Sequence, residues 1–175
     1  MIYRQLSVVE LEDFCDWADW LMAQPYVRDE KIGIEGFSYG GMMTALILFR
    51  ASDKFHYGIA GAGVYDWLLY DTHYTERYME TPQANPDGYK YVSEYPVEYG
   101  TPSGVEPVML KLTHGTGDDN VHLQNSLWLI DELHRHGKKF EFMIYHDGMH
   151  GYRGYQGAHF KNANREFWLK YLKAE

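Results

Sequence analysis

Cysteine is almost absent from this chain of 175 residues, in which Cys15 is the single example. One thiol excludes an intrachain disulfide framework and any metal site built from several clustered cysteines. Long apolar runs are missing as well, since no stretch approaches the roughly 20 residues that a membrane-spanning helix needs. The N-terminal sequence MIYRQLSVVELEDF has neither the basic start nor the apolar stretch of a signal peptide, so we expect no export signal there.

Positive charge is also scarce, because 16 basic residues face 25 acidic ones and the net charge is −9. An acidic surface disfavours binding to nucleic acids and to anionic membranes. The hydrophobic fraction of 45%, of which aromatic residues make up a large part, excludes a disordered or collagen-like chain. We therefore expect a single globular domain over residues 1–175, with no nucleic-acid partner, no membrane segment, no metal and no cofactor.

Segments typical of strands alternate with segments typical of helices. The predicted strands are KIGIEGF, 57–64, 108–112 and 139–145, and the predicted helices are 8–22, 41–49, 66–79, 123–136 and 159–172. Ser7 and Glu10 have the spacing of a capping box for the first helix. The proline-rich stretch 81–107 is predicted to loop over one end of the sheet. This alternation favours an α/β fold, with a mainly parallel sheet and helices on both faces.

The sequence Gly36-Phe37-Ser38-Tyr39-Gly40 joins the first predicted strand to an all-apolar helix. A G-x-S-x-G sequence in that context is typical of a nucleophile elbow, where the serine lies on a strained turn and the two glycines avoid Cβ clashes. Ser38 is then the candidate nucleophile, and the backbone N–H of Tyr39 is a candidate donor to an oxyanion. The alternative interpretation is a glycine-rich turn with a capping serine.

A serine nucleophile needs a carboxylate and a histidine, which follow it in that order in α/β-hydrolases. Asp118 and Asp119 follow the third predicted strand, and His146 and His150 follow the fourth. The carboxyl ends of parallel strands meet at one edge of a sheet, so we expect these groups near Ser38. His150 lies further into its loop and is favoured as the base. The two histidines could instead share a metal ion, but the sequence offers no third ligand.

The choice between Asp118 and Asp119 stays open on these grounds, because either could cap the helix that follows. A third histidine, His114, is interpreted as a residue at the end of the third strand.

Four segments resemble the prolyl oligopeptidase family of serine peptidases, and in particular its dipeptidyl peptidase IV branch: GFSYGG, YDTHYTERYM, HGTGDDNVH and HDGMHG. The likeness covers essentially the whole chain, as the C-terminal part of that family's α/β-hydrolase domain. It implies that Ser38 is the nucleophile, Asp118 the orienting acid and His150 the base. The fold it implies is a partial α/β-hydrolase fold.

The resemblance also implies a pocket for a proline ring of the substrate. Tyr70 and Tyr74 would help to form it, and we expect them one helical turn apart on one helix. Three further residues would line it: Val64, Trp67 and Val121. Asn120 would hydrogen-bond a substrate carbonyl. The alternatives are a tyrosine stripe that packs its helix on the sheet, and an asparagine that only stabilises its loop.

The resemblance further predicts what this chain lacks. Only 37 residues precede Ser38, so we expect neither the first strands of the hydrolase fold nor a β-propeller. The second oxyanion donor, a tyrosine, and the acidic propeller residues that bind a substrate amine would be missing with them. The KIGIEGF strand would then form an open edge of the sheet. Because open edges pair with other chains, we expect a homo-oligomer.

Three functions follow as hypotheses. The first is a serine peptidase that cleaves peptides after proline or alanine, or releases dipeptides, through an acyl-enzyme. The second is a carboxylesterase, which needs the same triad but no site for an amine. The third is a catalytically inactive fragment that oligomerises.

Overall fold

The computed structural model describes residues 2–94 and 108–173. Within these residues the strands are β1 (Gly33–Phe37), β2 (Tyr57–Gly61), β3 (Met109–Gly115) and β4 (Phe140–Tyr145). The helices are α1 (Val8–Met22), α2 (Tyr39–Arg50), α3 (Thr72–Met79), α4 (Pro86–Ser93), α5 (Gln124–Arg135) and α6 (Gly154–Leu172).

The four strands form one parallel sheet in the order β1-β2-β3-β4. β1 is therefore an edge strand of the described sheet, as predicted from the sequence. Since all four strands run the same way, the segments that follow them emerge at one side of the sheet. We call this side, formed by Ser38, 62–66, 116–123 and 146–153, the carboxyl rim.

Helices cover both faces of the sheet. On one face α2 packs so closely on β2 that Thr44 and Leu48 fill the space above Gly58. On the opposite face Phe167 of α6 packs against Tyr57 and Ile59. Successive residues of a strand point to opposite faces, and all five residues of β2 are buried, so both sides of the strand require a cover. The predicted α/β architecture is confirmed.

The prediction of one helix over 66–79 is wrong. A short 3-10 helix, Trp67–Leu69, is followed by Tyr70 in an extended conformation. α3 begins after Asp71, whose carboxylate accepts a hydrogen bond from the Tyr74 N–H at 2.8 Å. An aspartate cap of this kind starts a new helix, because it satisfies an N–H that has no partner in the first turn. Tyr70 and Tyr74 are therefore not on one helix.

The stretch 81–107 is not a loop throughout. Its residues 86–93 form α4, which begins with Pro86 in its first turn and is capped by Asn85. Residues 95–107 lie outside the described residues, and the loop prediction for them stays a prediction. The predicted limits differ elsewhere too: β2 ends at Gly61, β3 continues to Gly115, and α6 begins at Gly154.

Two kinds of feature are absent from residues 2–94 and 108–173. No helix there combines the length and the apolar character that crossing a lipid bilayer requires. Nor do these residues place three or more histidine, cysteine, aspartate or glutamate side chains where they could hold a metal ion.

Candidate active site

Ser38 lies in the turn between β1 and α2, at the carboxyl rim. Its φ of 59° and ψ of −122° are unusual for a residue other than glycine, and a backbone of this kind costs about 1–3 kcal/mol. Two backbone hydrogen bonds hold the turn. The Ser38 N–H donates to the Gly61 carbonyl at 2.8 Å, and the Ser38 carbonyl accepts from the Met42 N–H at 3.1 Å. These bonds hold Ser38 in the strained conformation between strand and helix.

The steric need for glycine near this turn lies at Gly36 and Gly41. A Cβ on Gly36 would come within 3.0 Å of the Gly40 backbone, and one on Gly41 would come within 3.0 Å of the Gly61 carbonyl oxygen. A Cβ on Gly40 would meet nothing within 4 Å. The expectation that both outer glycines of the motif prevent Cβ clashes is therefore wrong for Gly40. Residues 36 and 41 are the positions where α2 approaches β1 and β2.

Ser38, His150 and Asp118 lie in one chain of hydrogen bonds. The Ser38 Oγ is 2.9 Å from His150 Nε2, and His150 Nδ1 is 2.8 Å from Asp118 Oδ2. An ionised carboxylate only accepts hydrogen bonds, so Nδ1 carries the imidazole proton and Nε2 is the acceptor for the serine hydroxyl. This is the tautomer that a general base for the serine requires.

The two neighbouring aspartates differ in burial. Asp118 is 6% exposed, and its Oδ1 accepts hydrogen bonds from the backbone N–H groups of Asn120 and Val121 at 3.1 and 3.0 Å. Asp119 is exposed on the surface of the loop. The backbone bonds fix the Asp118 carboxylate with its second oxygen towards His150. The structure therefore brings Asp118, and not Asp119, to the histidine.

The two histidines after β4 also differ. The His146 side chain is 88% exposed and lies 3.2 Å from Asp147, whereas the His150 side chain is 20% exposed. The loop that carries them is tied to the loop after β3, since the Gly117 N–H donates to the Gly148 carbonyl at 3.0 Å. This bond connects the segment of Asp118 with the segment of His150.

His114, which the sequence marks only as a strand-end residue, is fully buried behind Asp118. Its Nε2 lies 2.8 Å from the Val121 carbonyl oxygen and 3.5 Å from Asp118 Oδ2, and its Nδ1 lies 2.7 Å from Ser126 Oγ. A carbonyl only accepts, so Nε2 is protonated and the Ser126 hydroxyl donates to Nδ1. Burial lowers the pKa of His114, which favours this neutral form. His114 thus attaches the loop of Asp118 to α5. The sequence reveals this role only through the position of a histidine at the end of an apolar strand.

A cluster of aromatic rings extends from Tyr39, the residue after Ser38. The Tyr39 and Trp67 ring centroids are 6.3 Å apart, and Trp67 stacks on Tyr74 with centroids 6.2 Å apart and 24° between the planes. Tyr70 meets Tyr74 edge-on at 5.5 Å. Although the helix prediction for Tyr70 is wrong, the rings of both predicted tyrosines belong to one cluster.

The remaining predicted pocket residues lie in the same region. Val64, Trp67 and Val121 are almost fully buried, in the core cluster against which the tyrosines pack. The Tyr70 hydroxyl donates to Asn120 Oδ1 at 2.7 Å, which orients the Asn120 amide and leaves its NH₂ group to donate elsewhere. A polar groove of about 750 Å³ opens beside these two residues.

Comparison with known sequences identifies the family. The model of the prolyl oligopeptidase family matches residues 1–175. A probable dipeptidyl-aminopeptidase B of Fusarium vanettenii is 42% identical over 166 residues, which are 94% of this chain and 17% of that protein. A protein of the same name in Uncinocarpus reesii is 47% identical over 130 residues, which are 73% of this chain and 14% of that protein.

A solved structure agrees with the fold. Dipeptidyl peptidase 4 of Porphyromonas gingivalis matches with a TM-score of 0.87 and 37% identity, over 98% of this chain and 24% of that one. This confirms a partial α/β-hydrolase fold, and the chain spans about a sixth of the length of the Fusarium relative. Because family and structural matches both cover nearly every residue, the chain belongs to the dipeptidyl peptidase IV-like branch of the prolyl oligopeptidase family.

Proposed function

We propose that this chain carries the catalytic chemistry of a serine peptidase that cleaves after proline or alanine. The observation that carries the proposal is the hydrogen-bond chain from Ser38 Oγ through His150 to Asp118, with distances of 2.9 and 2.8 Å. A serine hydroxyl is too weakly acidic to attack unaided. A neutral imidazole at this distance supplies the base that makes it a nucleophile.

The reaction has two halves. Ser38 Oγ attacks the carbonyl carbon of the scissile bond while His150 Nε2 takes the hydroxyl proton. His150 then gives that proton to the leaving amine, and an acyl-enzyme remains on Ser38. In the second half a water attacks the ester, with His150 again as the base, and releases the acid. Asp118 keeps the imidazole in the required tautomer and stabilises the imidazolium in both halves.

Tyr39 supplies a donor for the developing oxyanion. It is the first residue of α2, so its backbone N–H has no acceptor within the helix. The positive end of the helix dipole lies at the same place and favours negative charge there. In other serine hydrolases the loss of one such donor lowers the rate about 10²–10³-fold.

The aromatic cluster supports the preference for proline. A proline residue has no N–H to satisfy and presents a compact apolar ring, which suits contact with the flat faces of the half-buried Tyr70 and Tyr74. The buried Trp67 stacks on Tyr74 and supports that ring. Asn120 supports substrate binding in a different way, because Tyr70 occupies its oxygen and leaves the NH₂ group to donate to a substrate carbonyl. The names of the relatives favour dipeptides as products, which would require a group that binds the substrate amine.

Labelling with a fluorophosphonate tests the nucleophile. We expect the wild-type chain to be labelled and Ser38→Ala to lose the label completely, because Oγ is the atom that is phosphonylated. Ser52→Ala, in a turn outside the site, serves as the matched control and should be labelled like the wild type. A folded wild-type chain that takes no label would contradict the proposal and favour the inactive fragment.

Two substrates then test the reaction class. We expect cleavage of Ala-Pro nitroanilide, with loss in Ser38→Ala. Hydrolysis of nitrophenyl acetate without cleavage of the anilide would instead assign a carboxylesterase. Comparison with acetyl-Ala-Pro nitroanilide shows whether the chain binds a free amine: slower cleavage of the acetylated substrate supports dipeptide release, and equal rates contradict it.

A further inference from the structure

Glu10 of α1 holds the side chain of Tyr39. The Tyr39 hydroxyl donates to Glu10 Oε1 at 2.6 Å, and Glu10 Oε2 accepts from the Ser7 backbone N–H at 3.0 Å. Hydrogen bonds from an O–H group to a carboxylate at this distance are among the stronger ones in proteins. The sequence predicts Glu10 only as the capping partner of Ser7, so the contact with Tyr39 is a second role for the same carboxylate.

The Glu10 carboxylate is itself well fixed. One oxygen is bound to Ser7 and the other to Tyr39, and Glu10 lies in the first turn of α1, where the helix dipole favours negative charge. Burial and the hydrogen bond to Glu10 both raise the pKa of Tyr39, so its hydroxyl keeps the proton that it donates. The Tyr39 side chain is thus held at both ends, by α2 at its Cα and by α1 at its hydroxyl.

Tyr39 connects this anchor to the aromatic cluster at the carboxyl rim. Its Cα is adjacent to Ser38, and its ring lies 6.3 Å from Trp67, which stacks on Tyr74. The hydroxyl points to α1 and is occupied, so the ring is the part of Tyr39 that is left to contact a substrate.

We propose that Glu10 is a positioning residue for substrate selectivity: it fixes the Tyr39 ring, which contacts the substrate, and so keeps the aromatic cluster fitted to a proline ring. The proposal rests on the proposed function of the site. Without the anchor the Tyr39 ring can turn about its side-chain bonds. Contact with proline then weakens more than contact with alanine, because the larger side chain buries more apolar surface against the rings.

The test is the ratio of kcat/KM for Ala-Pro and Ala-Ala nitroanilides in four variants: Glu10→Ala, Glu10→Gln, Tyr39→Phe and the double variant Glu10→Ala/Tyr39→Phe. We expect Glu10→Ala and Tyr39→Phe each to lower the ratio about five- to tenfold, the equivalent of one hydrogen bond. The change should come mainly from KM for the proline substrate. Glu10→Gln keeps one acceptor oxygen for the Tyr39 hydroxyl but presents its NH₂ group to the Ser7 N–H, so it should restore part of the ratio.

The double variant separates positioning from a general loss of stability. If Glu10 acts through the Tyr39 hydroxyl, the double variant has the ratio of either single variant rather than the product of both losses. The exposed Glu12, two residues along α1, is the matched control, and Glu12→Ala should keep the wild-type ratio.

Contrary results are distinguishable. An unchanged ratio in Glu10→Ala and Tyr39→Phe, or multiplied losses in the double variant, overturns the role of Glu10 while the peptidase proposal stands. A folded wild-type chain that takes no fluorophosphonate label and cleaves no anilide overturns the peptidase proposal, and the role of Glu10 with it.

Discussion

The carboxyl rim and the outer face of α1 are built in different ways. At the rim Ser38, His150 and Asp118 are held by hydrogen bonds from three separate segments. We use "outer face of α1" for Phe14, Trp17 and Trp20, whose large apolar side chains are exposed, Trp17 to 62% and Trp20 to 52%. The first region is specified by polar contacts, and the second presents apolar surface to solvent.

The difference indicates that the proposed peptide cleavage and the proposed self-association can be tested separately. Glu10, which is bound to Tyr39 near the rim, and Trp20, which is exposed, are ten residues apart on one helix, or about 15 Å along its axis. Substitutions at one end of α1 should therefore leave the other end unaffected.

The largest effect is expected at the buried carboxylate of the rim. Asp118→Asn presents an amide to His150 Nδ1 and favours the wrong imidazole tautomer, so the rate of peptide cleavage should fall about 10⁴-fold, as in other serine proteases. The exposed Asp119 is the matched control, and Asp119→Asn should keep the wild-type rate. The measurement is kcat for Ala-Pro nitroanilide in both variants. Equal losses at the two positions would contradict the role assigned to Asp118.

A smaller effect, on folding, is expected at the turn of Ser38. Gly36→Ala places a Cβ against the Gly40 backbone, and we expect it to lower the free energy of unfolding by about 2–4 kcal/mol. Gly40→Ala meets open space within α2, so it should leave that free energy unchanged or raise it by up to about 1 kcal/mol. Denaturant unfolding followed by tryptophan fluorescence measures both. Similar destabilisation by the two variants would contradict a close contact between residue 36 and the Gly40 backbone.

The smallest effect on stability is expected at the outer face of α1. We propose that the chain self-associates through its exposed apolar surface, and that Trp17→Gln/Trp20→Gln weakens the association while changing the free energy of unfolding by less than about 0.5 kcal/mol. Sedimentation over a range of concentrations measures the association. Tyr155→Gln, at an exposed tyrosine of α6, is the control.

A wild-type chain that stays monomeric at high concentration would rule out self-association. Association that is unaffected by the double substitution would place the contact at the β1 edge.

Some elements of the fold are predictable because their pattern is local. β2 and α2 are continuous apolar segments next to glycines, and the structure buries both as the sequence suggests. The region 66–79 is not predictable in this way, because the spacing of its aromatic residues suits one helix. The Asp71 carboxylate nevertheless accepts from the Tyr74 N–H and begins a second one.

The candidate site likewise has features that the sequence predicts and one that it does not. The positions of Ser38, an aspartate and a histidine after successive strands follow from the sequence, because the carboxyl ends of parallel strands converge. The choice between Asp118 and Asp119 does not follow from local pattern, because the two are adjacent and identical in chemistry. Their burial differs because the Val121 N–H binds Asp118 within the loop and the Val121 carbonyl binds the buried His114.

By itself the sequence determined the order of the four strands and of the helices outside 66–93, the turn that carries Ser38 and the set of side chains able to meet there. Only the tertiary structure decided which aspartate faces His150, that the Tyr70 and Tyr74 rings touch although α3 begins between the two residues, and that Glu10 binds the Tyr39 hydroxyl. The physical reason is the separation along the chain of the groups that interact. Helix and strand patterns depend on neighbours a few residues apart, whereas a hydrogen bond needs two groups within about 3 Å, and here they come from segments far apart in the chain.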